Sequence, residues 1–558
     1  MTRASNAARS GGQLIVDCLE AQGVERVFCV PGESYLAVLD ALHDSPIEAV
    51  VARQEGGAAM MAEADGKLTG RPGIAMVTRA PGATNASSGV HVAQQDSTPM
   101  ILFVGQIGRS MRGRDAFQEV DYTRFYGGMA KWVEQIDQAE RIPEIISHAF
   151  HVAMSGRPGP VVLALPEDML REAAAVQAGL RVEVAEPAPS AAAMARLQEL
   201  LAKAKKPFLV AGGSRWDPES VVALARFAEA WKLPVGLSFR RQMLFDHLHP
   251  NYAGDVGLGI NPKLRARIEE ADLLLFVGCR FSENPSQSFT LLEIPEPRQT
   301  LVQVHAGPEE LGRIYRPDLA INATPGQFLA LAEQLDAGQS QAPATAVTQA
   351  HQAYLDWSHP NMTTPGQVQM AEVMAQLETL LPPDAILTNG AGNYATWVHR
   401  FHRFQRFGTQ LAPTSGSMGY GLPAAVAGKL RHPERTVVCF AGDGCFQMTC
   451  QEFGTAMQAG ANLIVLVIDN GIYGTIRMHQ ERDYPARISA TDLINPDFVA
   501  LAKAYGGYGE KVTRSEDFTA AFNRAQAAGT PALLHLQIDP EAISPATTLS
   551  KIRAAAQQ

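Results

Sequence analysis

The chain lacks any apolar run long enough to cross a bilayer. Its longest stretches, such as Leu463–Ile468 and Leu273–Val277, are only five or six residues. Met1–Gly12 is small and polar, and it lacks the apolar core of a signal peptide. Cysteine is scarce. The six, Cys18, Cys29, Cys279, Cys439, Cys445 and Cys450, form no Cys-x-x-Cys pair and no tight cluster with histidine. They read as buried free thiols of a reducing compartment, so a cytoplasmic protein is expected. Basic residues are outnumbered: 47 Lys and Arg stand against 57 Asp and Glu, a net charge of −10. This argues against nucleic acid as the main partner, which needs a basic surface, and leaves room only for a local basic pocket. No membrane partner is expected either. Short tandem repeats are absent.

What is present reads as a soluble enzyme. A chain of 558 residues is too long for one core and suggests about three domains. Short runs rich in Val, Ile or Leu recur throughout: Ala49–Ala52, Ile74–Thr78, Met100–Val104, Val161–Leu165, Phe208–Ala211, Leu273–Val277, Val437–Ala441 and Leu463–Ile468. Helical stretches separate them. Buried strands of parallel sheets covered by helices on both faces follow, a doubly wound α/β class. Glu183–Ala192, with Pro187 and Pro189, and Asp336–Thr348, rich in Gln, Ala and Ser, read as linkers. The expected domains are 1–185, 190–338 and 350–558. The first and last could share an architecture.

Residues 437–446 read VVCFAGDGCF. The strand ends at Ala441, Gly442-Asp443-Gly444 turns the chain, and a helix carrying Met448, Glu452, Phe453 and Met457 is expected to follow. Glycines let a backbone approach phosphate closely, and a helix start offers free N–H groups. Gly442, Gly444, Cys445 and Phe446 are therefore candidates to hold a phosphate-bearing ligand. Asp443 puts a carboxylate into that anion site, which is repulsive unless a cation lies between. The spacing points to Mg²⁺ held by Asp443 and bridging to phosphate oxygens. In LIVLVIDNGIYG, residues 463–474, a second strand ends in polar turn residues. Asn470 can offer its side-chain carbonyl and Ile472 its main-chain carbonyl, completing a hard oxygen set.

This GDG…N pair, 27 positions apart, resembles the signature of thiamine-diphosphate-dependent enzymes. The resemblance implies thiamine diphosphate and Mg²⁺ as cofactors, with Asp443, Asn470 and Ile472 as metal ligands. Two positions depart from the pattern: Asp469 stands where asparagine is usual, and Cys445 where serine is.

Other segments carry the same likeness. VARQEGGAAMMAEADGKLTG, residues 51–70, resembles the family's RHEQ-A-A pattern and puts Glu55 at the catalytic glutamate, which protonates the cofactor's aminopyrimidine. A carboxylate at an apolar helix start can have its pKa raised by desolvation, which suits that role. Taken alone, Glu55 would be only a first-turn helix acid. PTSGSMGYGLPAA, residues 413–425, is similar to the G-x-M-G-x-G-L-P-A-A segment. There Met418 would support the bent cofactor, and the Gly416 carbonyl with the Met418 N–H would hold its pyrimidine. By itself Met418 is a core methionine. RAPGATNASSGVHVAQQDSTP, residues 79–99, matches the GPGATN loop, bringing Pro81 and Asn85 near the thiazolium, with Arg79 in place of glycine or serine. DAFQE, residues 115–119, is close to acetolactate synthases, where the glutamine lines the reacting centre; this carries over to Gln118, with Phe117 on the channel.

VFCVPGESY, residues 27–35, resembles the first active-site loop, with Pro31 in the turn. Glu33 stands where acetolactate synthases have glycine and pyruvate decarboxylases an acid. It reads either as a proton relay or as an exposed helix cap. NGAGNYATW, residues 389–397, is unlike the synthases' QHQMW stretch, yet Asn393 is expected to contact the diphosphate. Lys131-Trp132 likewise departs from their Lys-His-Asn run. The central third looks like the family's central domain, which carries a non-redox FAD in acetolactate synthases. The stretch after Arg280 departs from that pattern, so FAD stays an open alternative.

The resemblance spans about Gly12 to Pro540, the first and last thirds best, and implies a pyrimidine-binding domain, a Rossmann-like central domain and a diphosphate-binding domain. The leading expectation is an acetolactate-synthase-like carboligase acting on a small 2-oxo acid, pyruvate. A decarboxylase or lyase of another 2-oxo acid or 2-hydroxyacyl compound is the alternative. A non-catalytic cofactor-binding paralogue is the third, opposed by the joint presence of Glu55, Asp443, Asn470 and Met418. Because the family's active site joins two subunits, a homodimer or homotetramer is expected.

Overall fold

The computed structural model describes residues 7–558, so the first half of the Met1–Gly12 stretch lies outside the described residues. Three six-stranded sheets, parallel throughout, carry the chain. The first contains β1 (Arg26–Cys29), β2 (Glu48–Val51), β3 (Gly73–Val77), β4 (Met100–Gln106), β5 (Trp132–Gln135) and β6 (Pro160–Pro166). The second contains β7 (Pro207–Ala211), β8 (Val235–Ser238), β9 (Tyr252–Val256), β10 (Leu273–Val277), β11 (Thr300–His305) and β12 (Leu319–Asn322). The third contains β13 (Ile386–Asn389), β14 (Gln410–Leu411), β15 (Val437–Gly442), β16 (Ile464–Asp469), β17 (Tyr508–Val512) and β18 (Ala532–Gln537). Each expected strand run lies on one of these, within a residue or two at the ends.

The central strands are apolar at successive positions because both faces are covered. All residues of β3, β4, β6, β7, β10 and β15 are buried. Each fully buried Val, Leu or Ile contributes roughly 1.5–3 kcal/mol relative to exposure. A charge placed at Leu275, which is wholly inaccessible, would break its sheet.

The strand orders locate the crevices. The first sheet runs β2-β1-β3-β4-β6-β5 and the third β14-β13-β15-β16-β18-β17, so the first and last thirds share one topology. Both reverse direction between their first and third strands, and ligands settle outside the carboxyl ends at such a switch point. The central sheet runs β9-β8-β7-β10-β11-β12, with its switch between β7 and β10. There a Cβ on Gly213 would lie 1.9 Å from the Gly278 carbonyl oxygen. The Trp216 indole N–H donates to the Gly212 carbonyl at 2.8 Å. A Cβ on Gly278 would meet that same indole nitrogen at 3.2 Å, so backbone and indole approach one another closely at this switch point.

The helices that matter to the site are α1 (Glu55–Thr69), α2 (Ala80–Asp96), α3 (Ala344–Trp357), α4 (Asp443–Gln447), α5 (Glu452–Gln458), α6 (Gly474–Asp483) and α7 (Leu549–Ala556). Two differ from the sequence reading. The single helix expected after the GDG turn is broken into α4 and α5. Hydrogen bonds of the i→i+3 kind, Met448 N to Cys445 O and Glu452 N to Thr449 O, tighten the chain between them. The second linker ends early, because α3 begins at Ala344 directly after Pro343.

By compactness the chain forms two units. One takes in the chain up to Ala185 with Leu422–Pro433 and Thr449–Ala461, and the other holds the remainder from Glu186 onward. No helix among the described residues is long and apolar enough to cross a membrane.

Candidate active site

In the second unit, a cleft of roughly 260 Å³ opens at the switch point of the third sheet. Asn393, Gly416, Met418, Gly442, Asp443, Gly444, Cys445, Asn470 and Ile472 all line it. Phe446 does not; it packs edge-on against Phe498 in the core, ring centroids 5.7 Å apart.

The GDG glycines are explained by their neighbours. A Cβ on Gly442 would lie 2.8 Å from the Tyr394 ring, and one on Gly444 would lie 2.6 Å from the Tyr473 ring. Only bare backbone fits between these rings and the cleft. Cys445 is buried, and its sulfur accepts from the Tyr394 hydroxyl at 3.1 Å and from the Gly419 N–H at 3.2 Å. Burial pushes that thiol up, so it stays neutral. Asn393 accepts from the Thr475 hydroxyl at 2.8 Å, which ties its loop to α6.

Asp443 is buried, and its Oδ2 accepts from the Gly471 N–H at 3.0 Å and from the Asn495 amide at 2.7 Å. Asn470 forms a local turn, its Oδ1 accepting from the Ile472 N–H at 3.3 Å. Burial raises the Asp443 carboxyl above its ordinary range, and the adjacent Asp469 carboxylate adds to the rise. A cation beside them would relieve that repulsion. Among the described residues no cluster of three His, Cys, Asp or Glu side chains could hold a metal. The oxygen set on the cleft is instead one carboxylate, one amide and one main-chain carbonyl. That set fits Mg²⁺ bound to phosphate, since Mg²⁺ draws its remaining ligands from water and phosphate oxygens.

In the first unit, Glu55 opens α1 and is half-buried. The Gln54 side chain caps this helix, accepting from Gly56 N at 2.6 Å and Gly57 N at 3.2 Å. The buried carboxylate of Glu452 accepts from Arg53 N at 3.1 Å and so holds the segment leading in. Asn85, on α2, donates to Glu55 Oε2 at 2.9 Å. Pro81 lies on the same first turn, and a Cβ on Gly82 would come 3.2 Å from Glu55 Oε1. Pro31 precedes a one-turn helix that begins with Glu33. Glu33 accepts from the buried Arg79 at 2.5 Å. Gln118 sits apart on a loop with φ of +65°, which Glu119 pins by accepting from Gly113 N at 2.6 Å.

Comparison with known proteins agrees with this layout. Residues 9–125 match the N-terminal binding domain of thiamine pyrophosphate enzymes, 194–332 their central domain and 390–536 their C-terminal binding domain. The chain is 32% identical over 536 residues to the acetolactate synthase isozyme 2 large subunit of Escherichia coli, covering 95% of this chain and 96% of that one. This chain belongs to the thiamine pyrophosphate enzyme family. It is also 32% identical over 552 residues to the acetolactate synthase large subunit of Parasynechococcus marenigrum, covering 95% and 87% of the two chains. A probable acetolactate synthase large subunit of Methanocaldococcus jannaschii is 29% identical over 547 residues.

Several residues that pack around these candidate site residues escaped the sequence reading. Gln54, Glu452, Tyr394, Tyr473 and Asn495 act by contact across the fold. Of these, only Gln54 had a local signal, an amide directly before the helix start.

Proposed function

We propose that this chain is a thiamine-diphosphate- and Mg²⁺-dependent carboligase of the acetolactate synthase type, with pyruvate as the donor. The observation that carries the proposal is the single cleft at the third sheet's switch point, where Asp443, Asn470, Ile472 and Met418 meet. The close relation to acetolactate synthase large subunits supports the choice of donor. When bound, thiamine diphosphate supplies an electron sink for cleaving and forming bonds next to a carbonyl. The chain's own residues do the rest. Asp443, Asn470 and the Ile472 carbonyl would hold Mg²⁺, and with it the diphosphate. Gly442 and Gly444 would let backbone approach it, and Met418, on the same cleft, would support the cofactor. Glu55, steadied by Asn85, holds a proton at the cofactor's aminopyrimidine nitrogen. Gln118 lines the approach of the acceptor.

The decarboxylase alternative drew on Glu33 as a proton relay. Its Oε1 is engaged by the Arg79 guanidinium, which holds that side chain at its partner. This favours carboligation. At the central sheet's switch point Gly213, Gly278 and Trp216 approach one another closely, and the reading derives no step through FAD.

The reading includes pyrimidine-binding, central and diphosphate-binding domains near 1–185, 190–338 and 350–558. It also includes at least a homodimer. The six free cysteines fit a reducing cytoplasm. The test is pyruvate turnover by purified protein with and without added thiamine diphosphate and Mg²⁺. Turnover only with both is expected; turnover independent of them would overturn the proposal.

A further inference from the structure

Asn495 belongs to no motif, yet it stands between two carboxylates. Its Nδ2 donates to Asp443 Oδ2 at 2.7 Å and to Asp469 Oδ1 at 2.8 Å. The Gly471 N–H donates to the same two oxygens, at 3.0 and 2.9 Å. Asn495 Oδ1 accepts from the Gln447 side-chain amide at 2.9 Å, which fixes which end of the Asn495 amide faces the acids. The other oxygen of Asp469 meets His535 Nε2 at 2.8 Å. His535 is buried on β18, beside β16, with its ring edge-on to Phe498 at 5.2 Å. The result is one continuous chain of contacts, from His535 through Asp469 and Asn495 to Asp443.

Asp469 is the position at which this sequence departs from the family's usual asparagine. A carboxamide there has one acceptor oxygen and one NH₂ group. It could meet His535 only as a donor to a neutral ring nitrogen, whereas the carboxylate also accepts from a ring N–H. The carboxylate, the histidine and Asn495 therefore fit one another as a set. Their combined effect on Asp443 is specific. They occupy Oδ2 and fix the carboxylate's rotation, leaving Oδ1 outside the network.

We propose that Asn495, anchored by Asp469 and His535, is a positioning residue that aims the Asp443 carboxylate at the divalent cation. The inference rests on the reading of Asp443 as a metal ligand. Residues that orient a ligand this way typically cost about 10- to 100-fold in metal affinity or activity when removed.

The experiment titrates Mg²⁺ into the full-length protein with saturating thiamine diphosphate and follows binding by calorimetry. It measures kcat at saturating Mg²⁺ in parallel. Asn495→Ala is expected to weaken Mg²⁺ about 10- to 100-fold with kcat near the parent value. Asp443→Asn is expected to abolish specific binding. Parent-like binding in Asp443→Asn would overturn the metal-ligand reading beneath the proposal. Loss in Asp443→Asn but parent-like affinity in Asn495→Ala would overturn this proposal alone. Should Asn495→Ala fail to fold, two substitutions at His535 carry the test from further out. His535→Gln keeps a donor to Asp469 and is expected to hold affinity within about threefold, whereas His535→Leu is expected to lose about tenfold. Equal affinities for the two would contradict the chain of contacts.

Discussion

Arg79 and Glu33 pair with one another: Nη2 of the arginine donates to Oε1 of the glutamate at 2.5 Å. They sit at the carboxyl ends of β3 and β1, the strands between which the first sheet reverses direction. Each is also a departure from the family pattern at its own position. The two departures compensate, a buried guanidinium being matched by an acid that is 74% exposed. Glu167, 3.8 Å away, is a second acid for the same arginine.

The first prediction follows from that pair. A double-mutant cycle on Glu33→Gln and Arg79→Gln is expected to give a coupling of about 1 kcal/mol, since one partner is largely solvated. Arg79→Gln alone is expected to cost more stability than Glu33→Gln, because it also leaves Glu33 and Glu167 facing each other. Thermal melts of the four proteins measure both. Additive effects would show that the pair is incidental.

Glu55→Gln is expected to remove turnover while thiamine diphosphate and Mg²⁺ still bind. The residues of the third sheet proposed to hold the cofactor are untouched, whereas the carboxyl proposed to hold its aminopyrimidine proton is lost. General acid–base groups of this kind contribute about 10²- to 10⁴-fold. Asn85→Ala should give a smaller loss in kcat, since it only steadies the carboxylate. Steady-state kinetics and calorimetry check both, and unchanged turnover in Glu55→Gln would end the assignment.

Gly444→Ala is expected to weaken thiamine diphosphate binding by pushing a methyl group toward the Tyr473 ring, 2.6 Å from the new Cβ. Overpacking of this kind costs about 1–3 kcal/mol. Because Tyr473 is what the methyl meets, adding Tyr473→Ala should restore part of the affinity. A calorimetric titration of the single and double variants reads this directly.

The pH dependence of α7 docking has a definite sign. Arg553 bonds to the buried Glu481 of α6 through both guanidinium and carboxylate edges, one contact being 2.7 Å. Hydrogen bonding to Arg553 holds the Glu481 carboxyl down to about 2. A carboxyl lowered on folding contributes stability above its unfolded pKa of about 4.3 and loses it as pH falls toward the folded value. Glu481→Gln should therefore melt well below the parent at neutral pH, and the gap should narrow as pH falls from about 4 toward 2. A constant gap across that range would contradict the assignment.

Much of this was legible because glycine and strand-end signals are local. The buried runs marked the strands, since a parallel strand covered on both faces must be apolar throughout. The GDG turn and Asn470 marked the cleft because close backbone approach and a hard oxygen set need those residue types. Other features left no local trace. Asn495 lies 52 residues from Asp443 and His535 lies 66 from Asp469, with no spacing to link them. Glu33 and Arg79 were each visible as oddities, but their pairing depends on β1 and β3 being neighbours. The break between α4 and α5 was hidden because the apolar spacing continues through it. The tightening hydrogen bonds there are a matter of backbone geometry.

The most direct measurement is product identification by NMR after incubating the purified protein with thiamine diphosphate, Mg²⁺ and carbon-13-labelled pyruvate. The account predicts acetolactate as the main product, lost on omitting either cofactor and lost in Glu55→Gln. Acetaldehyde as the main product, or pyruvate left unconsumed by a protein that has bound both cofactors, would contradict it.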